Sequence, residues 1–338
     1  MRRNGKPGLR LVAALLATLL IHGVAVAAGL RCSGHNLLEE LRTSAPESYE
    51  RVADAAKATI NASALLWRIE REGVRPSHLL GTIHLTDDRV TTFSPRLAAI
   101  IEAADTVALE IADFSPEATQ AAMAKAGNMT VLGDGRRLDR MLSAEHFDKV
   151  QKVLARAGVP EVAAKVFQPW VATMIMSVSD CERRSAMKGK LVLDAKIAAA
   201  ARKKRKPVVG LETIEGQLAA MASVPEDQQL DMLRVGAVYS DRIEDQLETL
   251  LQLYVRREIG AAWPLQLEFA EKAGVPRTQL GGFEKRVVID RNHLMSERAG
   301  PMLEKGNVLI AVGALHLPGE NGLVNLLRQA GYTLTPLE

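Results

Sequence analysis

Short apolar runs bounded by turn residues punctuate this chain, and four of them end on a titratable side chain. Leu79-Leu80-Gly81-Thr82-Ile83-His84-Leu85 and Ala311-Val312-Gly313-Ala314-Leu315-His316-Leu317 each place a glycine three residues before a histidine. Thr106-Val107-Ala108-Leu109-Glu110 and Pro207-Val208-Val209-Gly210-Leu211-Glu212 each end Leu-Glu. Runs of this length and composition predict buried strands. The exit of such a strand is where open α/β sheets hold their ligands. A glycine at the third position before the histidine leaves room for something to approach the backbone closely.

The remaining pattern fills in the elements around these strands. Cys32 to Ala64 reads as helical, with a break at Pro46. Leu65 to Glu70 alternates and predicts a strand, paired in a hairpin through Gly73 and Pro76 with the run from His78 to Leu85. His78 then stands just before that second strand, as a surface or edge residue. Arg96 to Ala104 reads as a helix leading into the Glu110 strand, a β-α-β unit with parallel neighbours; Asp87 and Asp88 read as helix caps. Ser115 to about Ser185 is helical, punctuated by Gly127, Gly133-Asp134-Gly135, Gly158-Val159-Pro160 and Pro169, and its apolar stretch from Phe167 to Met176 reads as core. Leu191 to Lys203 is an amphipathic helix with Asp194 in its first turn, read as a helix-terminal charge or a partner of Arg291. Residues 226–258 form a helical hairpin or one long helix, Phe283 to Glu304 a further helix, and Tyr332 to Leu334 a short last strand. The fold class is α/β (α+β): two pseudo-symmetric α/β halves, a central mostly parallel sheet, and a large helical insertion between them. The expected boundaries are a first half over about 64–114, a helical middle over about 115–190 and a second half over about 191–338, in one domain covering 29–338.

Composition changes the picture mainly at the N-terminus. Arg2, Arg3, Lys6 and Arg10 precede an apolar run from Leu11 to Val26, with small residues Ala25, Ala27 and Ala28 after it, which is a secretory signal pattern over 1–28. Its removal takes four basic and no acidic residues, so the formal net charge falls from +3 to −1. The basic balance therefore implies no nucleic-acid partner, and no membrane span is expected once the signal is gone. The expected location is periplasmic or secreted. Arg202-Lys203-Lys204-Arg205-Lys206 reads as a solvated helix C-terminus. Two cysteines, Cys32 and Cys181, both follow the signal, and an even count in an oxidising compartment predicts one disulfide.

The order His84, Glu110, Glu212, His316 mirrors itself across the chain. If the four strand ends meet in one crevice, imidazoles and carboxylates converge there. His84, Glu110 and His316 then supply three ligands for a divalent metal, with an open position for water. Glu212 is a fourth ligand or a general base, and Arg291, assisted by Asn292, a grip on an oxyanion or a substrate carboxylate. A buried Glu212–Arg291 ion pair that merely orients the halves remains open beside that role. So do a metal-free site with His84 as base, and a non-catalytic crevice that binds an envelope ligand or polysaccharide.

Gly81-Thr82-Ile83-His84, Leu109-Glu110, Leu193-Asp194, Gly210-Leu211-Glu212-Thr213 with Gln217-Leu218, Arg291-Asn292, and Gly313-Ala314-Leu315-His316-Leu317 running into Gly319 and Gly322 together resemble the TraB/GumN family. That family includes the Tiki-type proteases and has erythromycin-esterase-like and ChaN-like relatives. The resemblance covers essentially all of the chain after the signal. It implies a divalent ion, Mn or Co, at His84, Glu110 and His316, where the His-and-carboxylate set itself suits Zn or Mn, and a peptidase-like hydrolase of the cell envelope acting on a peptide or small-molecule substrate. It assigns no role to His293.

Overall fold

Six strands, β1 (Leu66–Arg71), β2 (Val74–Thr82), β3 (Thr106–Leu109), β4 (Val208–Gly210), β5 (Val308–Gly313) and β6 (Thr333–Pro336), pair into one sheet in the order β4-β3-β5-β2-β1-β6. The computed structural model describes residues 32–113 and 115–337; the predicted export signal lies outside the described residues. β4, β3, β5 and β2 run parallel to one another, whereas β1 is antiparallel to both β2 and β6. The sheet is thus mixed and mostly parallel, as the apolar runs predicted. β5, from the end of the chain, inserts between β2 and β3, so strands from the two ends of the sequence interleave. This interleaving puts the exits of the four predicted strands side by side.

The near-continuous apolar runs follow from burial on both faces, as in parallel sheets generally. Along β5, Leu309 and Ala311 join one core with Leu80, Val107 and Leu109, under the helices Pro95–Ala103 and Leu193–Lys203. Val308, Ile310 and Val312 point the other way, into a core with Leu79, Ala108, Met295 and Leu327, under the helices Asp290–Leu303 and Leu323–Gln329. Alternate residues of one strand therefore pack two layers.

The helical middle has a core of its own. Leu138, Phe147, Val150, Leu154 and Met176 pack with Leu233 from the helix Glu226–Val238. The Phe167–Met176 stretch contains the helix Pro169–Met176, with Trp170, Val171, Ala172 and Met176 buried, which matches its core reading. Residues 226–258 divide into two helices, Glu226–Val238 and Ile243–Val255. Asp87 is the N-cap of the turn Asp88–Thr91, its side chain accepting from the Arg89 N–H.

Three local expectations change. His78 lies inside β2, half-buried opposite Arg68 and Leu309, because that strand already begins at Val74 and has a neighbour on each side. The expected helix from Phe283 starts with a π-helical segment, Glu284–Ile289, before α-helix resumes at Asp290–Leu303; such segments mark places where a helix has been wound to aim side chains. Asp194 does sit in the first turn of its helix, but it does not meet Arg291. Its carboxylate reaches Thr82 and His84.

The basic run is held by its neighbours. Lys204 bonds Glu102, Lys206 reaches the carbonyls of Glu102 and Ala104, and Arg202 that of Ala112. No helix among the described residues is long and apolar enough to cross a membrane.

Cys32 and Cys181 form a disulfide across 149 residues, tying the start of the described chain to the helix Asp180–Met187. Closing so long a loop restrains the unfolded chain, so replacing both cysteines by serine is expected to cost about 2–5 kcal/mol of unfolding free energy. Urea denaturation of the Cys32→Ser/Cys181→Ser variant measures it, and an unchanged midpoint contradicts it. A second test concerns Gly81, where an added Cβ would lie 3.0 Å from Ala314 Cα and 3.0 Å from Leu317 Cδ2. Gly81→Ala must push the backbone of the His316 turn away and is expected to cost about 1–3 kcal/mol; a variant as stable as the parent would show that this contact yields without strain.

Candidate functional site

Each of the four predicted strand ends delivers its side chain to one edge of the sheet. Glu110 follows β3, Glu212 follows β4, His316 closes the short 3-10 turn after β5, and His84 lies two residues past β2. Given the strand order, the two acids are neighbours on one side and the two histidines on the other. Glu110, Glu212 and His316 are buried, whereas the His84 side chain is 57% exposed.

Arg291 stands between the acids. Its Nη2 donates to Glu110 Oε2 at 2.7 Å and to Glu212 Oε2 at 2.6 Å, and its Nε donates to Glu212 Oε1 at 3.0 Å. Gln217, one turn into the helix Ile214–Ala222, donates from Nε2 to the same two Oε2 atoms at 2.9 and 3.3 Å. Both oxygens of Glu212 therefore face Arg291. Glu110 is divided: Oε2 faces Arg291 and Gln217, while Oε1 takes the Gly313 N–H at 2.6 Å and looks toward His316. Burial opposes the charge on Glu110, but His316 when it is protonated, Arg291 and the Gly313 N–H outweigh it and lower its carboxyl to about 2. Burial also works against the charge of Arg291, and its hydrogen bonds to the acids outweigh that, so it stays protonated.

The tautomer of His316 follows from its partner. Asn292 Nδ2 donates to the Asn321 carbonyl at 2.8 Å, which fixes the amide orientation and leaves Oδ1 as an acceptor. His316 Nδ1 lies 2.6 Å from that Oδ1, so Nδ1 carries the proton. Nε2 then bears a lone pair, and it points at Glu110 Oε1 from 3.7 Å. Burial lowers the imidazole to about 4 against the pull of Glu110, so at neutral pH no proton bridges them. Two electron-pair donors face one another here across a gap too long for a hydrogen bond.

A second such donor waits at the next strand. Asp194, 1% exposed, accepts from Thr82 Oγ1 at 2.7 Å through Oδ1. Its Oδ2 has no hydrogen-bond partner and lies 3.7 Å from His84 Nδ1. Burial raises its carboxyl, opposed by His84 and Thr82. A buried carboxylate oxygen without a partner is costly and calls for a cation or a proton donor.

Two of these groups, His316 and Glu110, stand close enough to share a divalent ion. Ligands held within about 2.0–2.2 Å of one ion stand roughly 3–3.5 Å apart, close to the observed His316–Glu110 separation. The His-and-carboxylate donor set is that of Zn²⁺ or Mn²⁺. The grouping of His84, Glu110 and His316 does not close into three mutually adjacent ligand atoms among the described residues; the one such cluster is Cys32, Cys181 and Glu244, where the two sulfurs are bonded to each other.

The glycines explain the paired motif. A Cβ on Gly313 would meet Glu110 Oε1 at 3.1 Å and His316 Cδ2 at 3.5 Å, and one on Gly210 would meet the Glu212 carbonyl at 2.8 Å. Sequence reasoning named Asp194 but gave it Arg291 as a partner, and it missed the roles of Thr82 and Gln217. A Leu-Asp at a helix start carries no spacing that links it to a strand more than a hundred residues earlier. Gln217 at least follows Glu212 by five residues, across a helix N-cap at Thr213.

The chain is 24% identical over 256 residues to the uncharacterized protein YbaP of Escherichia coli (strain K12), covering 76% of this chain and 89% of that one. It is 24% identical over 325 residues to metalloprotease TIKI2 of Xenopus tropicalis, covering 82% of this chain, and 22% identical over 314 residues to metalloprotease TIKI1 of Danio rerio, covering 80%. It spans 60% and 62% of the length of those two metalloproteases. The profile of the TraB/PrgY/gumN family matches residues 65–336, from β1 through β6 and including every residue of the site, and the chain belongs to that family.

Proposed function

We propose that this chain is a metal-dependent hydrolase of peptidase type, acting outside the cytoplasm, with His84, Glu110 and His316 as metal ligands and Asp194 supporting His84. The observation that carries the reading is the His316 Nε2 lone pair held 3.7 Å from an ionised Glu110 oxygen, beside a buried Asp194 oxygen that lacks a partner. The similarity to metalloproteases TIKI1 and TIKI2 supports the reaction class. A bound divalent ion would supply Lewis acidity and an acidic water.

The chain's own residues do the positioning. Asn292 holds the His316 ring with its lone pair facing inward, as outer partners of metal-binding histidines do. Arg291 and Gln217 keep Glu110 ionised and turn Oε1 toward the histidine. Glu212 holds Arg291 by three contacts and so acts through it; a direct role as base requires it to release the arginine. His84, exposed, stands on the solvent side of the site with the Asp194 carboxylate behind its ring, which orients it as a ligand. That same His84–Asp194 pair favours a metal-free alternative in which His84 is the base of an esterase-like hydrolase. The disulfide fits an oxidising compartment, and with the N-terminal signal pattern it supports a periplasmic or secreted location.

Elemental analysis of untagged protein tests the reading: about one divalent ion per chain is expected in the wild type and little in the His84→Ala/His316→Ala variant. Full metal content in that variant removes these ligands, and ester hydrolysis that survives chelation selects the metal-free alternative. Arg291→Met leaves two carboxylates buried without a counter-charge and is expected to cost about 3–5 kcal/mol. Adding Glu212→Met should recover part of it, because one uncompensated charge then disappears. Denaturant titration at neutral pH reads both, and a double variant less stable than the single one would contradict the account.

A further inference from the structure

Beside His316 lies a cavity of about 420 Å³ that the mechanism above leaves unused. It is built onto the site by two residues. Asn292 lines it while holding the His316 ring, and Leu315, the residue before His316, is exposed on its wall. Trp263, Leu267 and Val288 supply further apolar surface. The charged residues of the lining are Glu284 and Glu320, and the lining contains no lysine, arginine or histidine.

Glu284 is the unusual member. It opens the π-helical segment that runs directly into Arg291 and Asn292, so its place is fixed relative to the site. It is half-buried, has no ion-pair partner among the described residues, and has the Trp263 indole as its hydrogen-bond neighbour. Burial pushes its carboxyl up. Trp263 is itself held by stacking on Phe283, with ring centroids 6.0 Å apart. Glu320 sits exposed on the loop after His316, touching only the Asn325 amide through Oε2 at 3.3 Å.

An apolar wall with an indole face and two carboxylates, and no cation of its own, matches one ligand chemistry. The indole and the aliphatic walls take a methylene stem, the indole face attracts a cation, and the carboxylate completes a charge-assisted bond. A purely apolar group would instead bury Glu284 further with nothing to offset its charge. We infer that this cavity is a subsite for a long-stemmed cationic group, a lysine or arginine side chain of the peptide substrate. The inference rests on the peptidase reading for its substrate class.

Direct binding tests it without requiring hydrolysis. The probes are acetylated tetrapeptide amides, Ala-X-Ala-Ala, with X lysine, arginine, norleucine or glutamate, titrated by calorimetry into the His84→Ala chain. Lysine and arginine peptides are expected to bind at least about fivefold tighter than the norleucine peptide, with the difference shrinking in high salt. Glu284→Gln in the same background should abolish the difference while leaving the melting temperature in place, and Trp263→Leu should weaken the cationic peptides most. A norleucine peptide that binds as well as lysine, a preference that survives Glu284→Gln, or no peptide binding at all overturns the subsite. Because these titrations need neither metal nor turnover, a wild-type chain devoid of metal whose His84→Ala variant still prefers lysine would refute the proposed metal chemistry alone, and a wild-type chain that holds metal but whose variant lacks the preference would refute the subsite alone.

Discussion

The half-buried Arg291, shared between Glu110 and Glu212, is the interaction on which the site depends. Two carboxylates with little exposure stand next to each other at adjacent strand ends, and one guanidinium answers both. Taking three charges out of water is expensive, and apolar residues of similar volume often stabilise such a place better. The arrangement therefore makes little sense as a staple for the fold. It makes sense as a device that keeps Glu110 ionised while leaving one of its oxygens facing His316. Gln217 and the Gly313 N–H finish the task by fixing which oxygen faces which way.

The two histidines are not equivalent, although the sequence pattern that announces them is. His316 is buried, has one nitrogen tied to Asn292, and offers a single lone pair in a fixed direction. His84 is largely exposed and has a carboxylate behind it that is not yet within hydrogen-bonding reach. One donor is fixed on the inside and the other stands at the solvent side, where a ligand can enter. The buried Asp194 oxygen without a partner marks where that solvent side remains incomplete.

Much of this was legible in the sequence, for a physical reason. Strands buried on both faces must be apolar throughout, so a titratable residue at their exit stands out, and His84, Glu110, Glu212 and His316 could be recognised with their strands. The sheet order could not, because the insertion of β5 between β2 and β3 depends on pairings more than two hundred residues apart. Arg291 and Asn292 were visible as a polar pair, but their division of labour was not: one faces the acids and the other the histidine, a difference set by the winding of the helix after its π-helical segment. His78 was misplaced by four residues of strand, since Val74-Arg75-Pro76 reads as a turn and is in fact the start of β2.

The paired Gly-x-x-His motif has a structural meaning beyond its two histidines. Gly81 of the first motif lies against Ala314 and Leu317 of the second, so the missing Cβ of one makes room for the turn of the other. Tyr254 seals the same point by donating its hydroxyl to the Gly81 carbonyl at 2.7 Å. Gly313 of the second motif, in turn, gives its N–H to Glu110 and leaves space for the carboxylate. The motifs are thus parts of one packed seam along β2, β5 and β3. A side chain at Gly81 would press on the turn that carries His316, and one at Gly313 on the Glu110 carboxylate, which ties the spacing of three residues to the geometry of the site through contact alone.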